Sequence, residues 1–505
     1  MNPSAGFIAA LSSNLSPSPG TPGEGWGEGL HSAYRAWGKL VLILFLLGLL
    51  PGCVNQHKEI LTYRKVVDAG LPHPDSYQPG QTLSLARAMA LANEANEQIG
   101  LQGENYLQSL IAKNRAVAEF LPTISFQPSF TAEQAPGSNL NPIPAASGYV
   151  PEGHVWQAFQ APVVGSMNLT FVSYPNLKST EQTIVQQRQL LLDAQATVLL
   201  NVAQTYYQVL DSEAQVRVLE NSLKVQQARL ADAEGRYRNH LALALEVSQT
   251  EAQVASTEVS LTQAQSDVRN GRHTLAFLMG ISEVDGPLIN DVNVPDQIGP
   301  VDDYRAIAAA TRQDLLAADA AVRAAKYSAD AAIAEYYPSV SLNVSGFLYR
   351  EYFSDASKWD AILVGNLPIF SAGIIEADVR DAWSKLRQAA LYQSELRRQI
   401  DRDVQIAYDN LFTAQKELIS LNKEVKAAQD ALNQSEQLLH NELAIPLDVL
   451  TAQDTLLTAQ LNYANENFDR TVFYLDLLRI VGQLNPRSPE HWRATTAPST
   501  FPSQY

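Results

Sequence analysis

Two acidic residues stand next to last in matching segments about 200 positions apart: Glu246 in LALALEV (241–247) and Asp448 in LAIPLDV (443–449). Neither segment holds a His, Ser or Cys beside its carboxylate, so neither offers a nucleophile with a base to activate it. Each acid falls early in a helix that follows a turn, where the positive end of the helix dipole favours negative charge. Pro446 fits the same place, since proline sits well in a first helical turn and poorly inside one. The chain has eight His, none of them in an HxxxH or HExxH pair, and a single Cys. No disulfide framework or thiolate zinc site can be assembled from that set. We therefore expect no enzyme, no catalytic residue, no metal site and no cofactor.

The one cysteine, Cys53, has chemistry that is done to it. Residues 33–39 supply two positive charges, LVLILFLLGLL follows at 40–50, and Pro51-Gly52 leads into Cys53. A basic flank, a short apolar run and a small residue before the cut describe an export signal. The run is too short to span a bilayer comfortably as a mature helix. With Cys directly after Gly52 the segment resembles a bacterial lipobox, which implies lipidation of Cys53. Val54 in the next position resembles the outer-membrane address of lipoproteins. A buried apolar helix with an incidental Cys is the alternative. Residues 1–52 are thus read as a leader with a lipoprotein signal peptide, and 53–82 as a lipidated N-terminal linker.

The chain has 505 residues, 46% hydrophobic and 18% charged, with a formal net charge of −17. That balance argues against nucleic acid, which calls for a clustered basic surface.

These features are carried on an internal repeat. AEFLPTISF (118–126) matches AEYYPSVSL (334–342), and Val202-Ala203-Gln204-Thr205-Tyr206 matches Val404-Gln405-Ile406-Ala407-Tyr408. The two shifts differ because the first copy carries extra residues in the Gly/Pro/Asn-rich stretch 133–153, which reads as a loop. Copy one is placed at 83–285 and copy two at 301–482, with a linker at 286–300 and a disordered tail at 483–505. Each copy predicts a helix (83–119; 301–335), two strands (about 122–173; about 338–370) and a helical hairpin (177–279; 374–481).

In the strands, Val340, Leu342, Val344 and Leu348 alternate with Ser339, Ser341, Asn343 and Ser345, a period of two with one apolar and one polar face. In the long helices Ile400, Val404, Ala407, Leu411, Ala414, Leu418, Leu421, Val425, Ala428 and Leu432 recur at steps of four and three. Val202, Val209, Val216, Leu223, Leu230 and Tyr237 recur every seven, a coiled-coil signal. At 1.5 Å per residue the stretch 177–238 reaches about 93 Å. The alternating strands match the lipid-out, water-in pattern of outer-membrane barrels. Four strands cannot close a barrel, and open edges in lipid leave backbone groups unpaired, so copies of the chain would have to pool strands. A water-soluble sheet covered on its apolar face is the alternative.

Tandem copies of helix, strand pair and long hairpin resemble the TolC-like outer-membrane efflux proteins over about 83–482. Arg312-Gln313-Asp314-Leu315 resembles the family's Arg-Pro-Asp-Leu. Leu367-Pro368-Ile369-Phe370-Ser371-Ala372-Gly373 resembles its Leu-Pro-Leu-Phe-Asp-Gly-Gly turn from strand to long helix. The resemblance implies a mainly α chain whose hairpins form an α-barrel, and a homotrimer sharing a twelve-stranded transmembrane β-barrel. It further implies a passive export conduit, outer-membrane lipid around it, and two partners: a periplasmic adaptor and an inner-membrane pump of the RND or ABC type. Asp448, with Glu246, would then lie at the periplasmic entrance, where three copies of an acid make a ring that attracts cations and opposes closure. Arg236, His240, Leu241, Leu443 and Pro446 would form the tips on which the adaptor docks. The family's Arg-x-x-x-Gly is changed here to Arg236…His240 in copy one and to Leu438…Glu442 in copy two. Two other readings compete: a lipid-anchored periplasmic coiled-coil protein without a pore, and an envelope enzyme, for which the Ala/Gln/Leu-rich coils leave little room.

Overall fold

The computed structural model describes residues 56–68, 77–134, 155–350, 358–441 and 443–484. The leader, Cys53, most of the loop expected at 133–153, Glu442 and nearly all of the tail after Gln483 lie outside the described residues. The chain divides into two compact units, Met1–His57 and Lys58–Tyr505; the elements below belong to the second, apart from the start of the first helix.

In chain order they are α1 (Gln56–Asp68), β1 (Leu83–Ser84), α2 (Leu85–Ala95), α3 (Glu97–Ala118), β2 (Thr123–Phe126), β3 (Ser129–Gln134), β4 (Val155–Leu169), α4 (Ser173–Arg238), α5 (Ala244–Leu278), β5 (Leu288–Ile289), α6 (Val301–Thr311), α7 (Gln313–Ala334), β6 (Ser339–Arg350), β7 (Trp359–Asn366), α8 (Ile374–His440) and α9 (Pro446–Ile480). The fold is mainly α. Two hairpins, α4 with α5 and α8 with α9, run from one antiparallel sheet.

The stretches expected as single helices at 83–119 and 301–335 are each divided in two. At Asn96 the backbone turns extended, and its side chain takes the Gln98 N–H (3.0 Å) while donating to the Leu278 carbonyl (3.1 Å). At Arg312 the backbone is again extended, and the Asp314 carboxylate accepts from Leu315 N–H at 2.8 Å and from Arg312 Nε at 3.0 Å. Polar side chains that cap a new helix compete with continuation of the old one. Each break seats the end of a returning long helix. Gly280 (φ 65°) and Gly482 (φ 72°) take left-handed turns there, and a Cβ on Gly482 would meet the Thr311 carbonyl oxygen at 2.8 Å.

Two apolar cores sit at this level. One gathers Leu83, Leu85, Met89 and Ile99 around Tyr206 and Tyr207 of α4; the other joins Leu315, Ile400, Val404, Leu411 and Val481. Tyr206 Oη accepts from Ile289 N–H at 2.9 Å and lies 2.8 Å from the Leu83 carbonyl oxygen, clamping the parallel β1–β5 pair. That pair falls in part of the expected linker. Arg272 holds the entry to that linker through the carbonyls of Val284, at the end of copy one, and Gly286, both at 3.0 Å, and pairs with Glu213 at 2.6 Å.

The sheet has the order β2/β3–β4–β6–β7, all antiparallel. The first strand, expected as continuous, is split into β2 and β3, which both pair with β4. Pro128 and Pro162, neither able to donate to the ladder, face this kink, and the β4–β6 register shifts at Ala161/Pro162. Register puts Ile124, Met167, Leu169, Val340, Leu342, Val344, Ala361 and Leu363 on one face. Thr123, Ser166, Asn168, Ser339, Ser341 and Asn343 share the other, where Thr123 and Ser166 hydroxyls meet at 2.7 Å. The apolar face is bare: Ile124 is 76% and Leu363 70% exposed. Among the described residues the outer edges of β2/β3 and β7 have no partner strand.

Candidate functional site at the hairpin tips

Both long helices α4 and α8 end in the same turn. Leu241 N–H reaches the Arg236 carbonyl (2.8 Å) and His240 N–H the Tyr237 carbonyl (2.9 Å), the two bonds of a Schellman end; Leu443 N–H repeats the first by reaching Leu438 (2.8 Å). His240 therefore sits left-handed at φ 61°. This is the position where the family's Arg-x-x-x-Gly has glycine, and a residue with a Cβ is strained there by about 1 kcal/mol. His240→Gly is expected to stabilise the tip by that amount, seen as slower hydrogen exchange at 236–245 with unchanged exchange near Tyr206.

The two acids behave differently. Glu246 is half-buried and pairs with Arg236 across its own turn at 3.3 Å. Leu438 stands where an equivalent arginine would be in the second hairpin, and among the described residues no cation pairs with Asp448. Its carboxylate instead accepts from the Ile445 N–H at 3.1 Å, closing the first turn of α9 behind Pro446 at N1. Both tips are apolar on the outside. Leu241 is 70% and Leu443 75% exposed, and Leu243, Leu245, Ile445 and Leu447 join them.

The structure adds contacts that sequence reading missed. Arg229 pairs with Glu436, and Gln253 Nε2 donates to Asp454 Oδ1 at 3.3 Å, each linking one hairpin to the other. Polar residues on the flank of a heptad carry no signal of which distant helix they meet. Among the described residues no group of three or more His, Cys, Asp or Glu is placed to hold a metal ion, and no helix is long and apolar enough to cross a membrane.

Further from the tips, burial between α4 and α9 pushes the Asp211 carboxyl up to about 6, against acceptance from Gln215 Nε2 at 2.9 Å and with Asp469 nearby adding to the rise. A carboxyl raised in the folded state binds its proton more tightly there than in the unfolded chain. Stability is then higher below about pH 4 and falls as pH rises to about 6, by on the order of 2 kcal/mol for this group. Asp211→Asn is expected to flatten that part of the pH–stability curve and to raise the unfolding temperature at pH 7.5; thermal melts at pH 4.5, 6 and 7.5 check it.

The family model described as outer membrane efflux protein matches residues 114–281 and 306–483. The chain belongs to the outer membrane efflux protein family. Outer membrane efflux protein BepC of Brucella suis is 23% identical over 62% of this chain and 69% of its own length. Cation efflux system protein CusC of Escherichia coli K12 is 23% identical over 56% of this chain, a stretch that spans 63% of CusC. Probable efflux pump outer membrane protein TtgC of Pseudomonas putida KT2440 is 24% identical over 88% of this chain and 94% of its own length. Among solved structures, CusC superposes with a TM-score of 0.70 at 17% identity, covering 82% of this chain and 96% of that one. VceC of Vibrio cholerae gives 0.70 at 18%, covering 79% and 96%. These channels share the fold.

Proposed function

We propose that the protein is the outer-membrane channel component of a tripartite efflux or type I secretion system, a passive conduit from the periplasm to the outside. The observation that carries this reading is the sheet: one layer, mainly polar on one face with Val164, Ile362 and Val364 as apolar exceptions, apolar and bare on the other, and among the described residues without a partner strand at either edge. Such a sheet satisfies its backbone in lipid only by closing with copies of itself. Four strand positions per chain in a homotrimer give a twelve-stranded barrel wide enough for a lumen.

Two further features support it. Aromatic residues collect at both ends of the sheet: Tyr336, Tyr337, Phe171 and Tyr174 at one, Phe159, Tyr349 and Trp359 at the other, with Phe171–Tyr337 and Phe159–Tyr349 ring contacts at 5.6 and 5.8 Å. The twelve residue steps from Tyr337 to Tyr349 cover about 40 Å of strand. Tilted by about 45°, that is about 28 Å of depth, close to the apolar band of outer-membrane barrels. The second feature lies on α8. Its seam of Ile400, Val404, Ala407 and Leu411 is buried, but apolar side chains on both flanks of that seam, Tyr392 and Ile406 on one and Phe412 and Ile419 on the other, are exposed. A helix with exposed apolar residues on the flanks of its buried seam needs further neighbours, and a closed ring of twelve helices supplies one from the next subunit.

In this reading the tandem copies, 83–285 and 301–482, each contribute one strand pair and one hairpin. Cys53 carries the lipid anchor, and the chain sits in the outer membrane and extends into the periplasm. The exposed aliphatic tips, with Arg236, His240, Leu241, Leu443 and Pro446, dock the periplasmic adaptor. Three Asp448 carboxylates ring the entrance; Glu246, paired with Arg236, adds less to that ring. Energy comes from an inner-membrane pump of the RND or ABC type. Relatives bear names from cation efflux to toluene efflux, in keeping with cargo chosen by the pump. A poreless coiled-coil spacer would bury its apolar strands against helices, an arrangement absent among the described residues. Detergent-extracted protein should run as a trimer and give stepwise, cation-preferring conductance in planar bilayers. A monomer without conductance would sink the proposal.

A further inference from the structure

The first hairpin holds a cavity of about 380 Å³ between α4 and α5, lined by Glu213, Val216, Arg217, Gln265, Val268 and Arg269. Glu213 is already paired with Arg272 at 2.6 Å. Among the described residues neither Arg217 nor Arg269 has an acidic partner. Two unmatched positive charges therefore stand together in a chain whose net charge is −17.

The internal repeat shows what this position holds in copy two. The alignment that carries Tyr206 to Tyr408 and Gly280 to Gly482 also carries Glu213 to Gln415 and Val268 to Arg470. Those two residues hold a stretch of the linker. Gln415 Nε2 donates to the Pro295 carbonyl at 3.0 Å, and Arg470 Nη2 donates to the Val294 carbonyl at 3.1 Å and to Asp296 Oδ1 at 3.2 Å. Val294 is buried in the second core, so the occupant is fixed by an apolar residue, a backbone carbonyl and a carboxylate.

Copy one supplies no such occupant. The alignment that carries Ala118 to Ala334 sets Gln78-Pro79-Gly80 against Val294-Pro295-Asp296, keeping the proline and losing the acid. Gly80 N–H is drawn instead to Asp285 Oδ1 at 2.8 Å.

We infer that the α4–α5 cavity is a docking site for a short acidic peptide segment of another polypeptide, taken up as copy two takes up Val294-Pro295-Asp296. Its carboxylate would meet Arg217 and Arg269, whose planar donor forks match that group, and an apolar residue beside it would meet Val216 and Val268. At 1.5 Å per residue Arg217 lies about 28 Å along α4 from Arg236, so this site is separate from the tips. It stands independently of the conduit reading.

The probe is a fluorescein-labelled peptide with the chain's own sequence from Val292 to Ile298, added to detergent-extracted full-length protein and followed by anisotropy. Saturable binding that weakens as salt is raised is expected. Arg217→Ala/Arg269→Ala should weaken it about tenfold, the factor for losing one charge-assisted hydrogen bond, with circular dichroism and the unfolding temperature unchanged because both side chains are exposed. A peptide carrying Asp296→Asn should bind wild type as weakly. Absence of saturable binding overturns the inference. So does binding that survives in the double variant and is lost in Arg470→Ala, which would place the peptide in copy two by exchange with the linker.

Discussion

Arginine in place of Leu342 is expected to abolish stable insertion. Leu342 lies opposite Met167 on one side and Leu363 on the other, in the middle of the bare apolar face. An arginine facing lipid at the midplane of an outer-membrane barrel costs about 2–4 kcal/mol. Three copies in the proposed trimer bring that to about 6–12 kcal/mol, comparable with the whole stability of many folded proteins. The next residue is the control. Ser341 points to the polar face, where Ser341→Arg faces the proposed water-filled interior and should insert normally while altering conductance. Outer-membrane fractionation and unheated gels that preserve the trimer read both outcomes. If Leu342→Arg inserts as well as Ser341→Arg, the apolar face does not meet lipid.

The second large effect is expected far from the membrane, at the break between α6 and α7. The Arg312 side chain is 6% exposed and bonds Asp314 at 3.0 Å, with Asp403 at 3.8 Å. Asp193 and Asp476 stand close enough to feel the same guanidinium, and burial pushes both carboxyls up despite it and despite Arg479. Carboxylates therefore outnumber the cations that hold them across α4, α7, α8 and α9. Arg312→Ala removes the central cation and leaves buried charge uncompensated, an imbalance that costs about 3–5 kcal/mol. The unfolding temperature should fall steeply. Arg312→Met with Asp314→Asn and Asp403→Asn should recover part of the loss, because the charge that needed compensation is gone. Arg380 offers a comparison: its pair with Glu376 is 79% and 61% exposed, and Arg380→Ala should change stability by less than about 0.5 kcal/mol. A loss for Arg312→Ala as small as that would remove the network from the account of stability.

Much of this molecule was legible in local pattern. The four-three steps from Ile400 to Leu432 mark the face that α8 buries, and Leu418 and Leu421 are its only half-exposed members. The strand alternation at 339–345 marks which side chains share a face, because a pleated strand leaves them no choice. The resemblance of the whole order to TolC-like efflux proteins agrees with the family and with the solved channels that share the fold. Other readings were incomplete. The stretches at 83–119 and 301–335 kept helical spacing across Asn96 and Arg312, so nothing local announced a break. What stops those helices is the arrival of Leu278 and Val481, each about 170–180 residues away in sequence. The strand at 122–134 divides where Pro128 and, on β4 opposite Gln127, Pro162 bring two residues without an N–H to the same stretch of ladder, and only pairing reveals that.

The periodic burial of each rod and each strand was determined by sequence alone, since it depends on geometry repeated every two or three and a half residues. Which of two matching acids keeps its charge free was decided by tertiary structure. Glu246 meets Arg236 across its turn, whereas Asp448 faces Leu438's side of an equivalent turn and bonds only a backbone N–H. Likewise Gln226 reads as an ordinary helix former until tertiary packing buries it and leaves its amide oxygen without a partner. Period fixes a side chain's face on its own helix; only packing between distant helices decides what that face meets, and the cost of an unmatched polar atom exists only once solvent has been excluded.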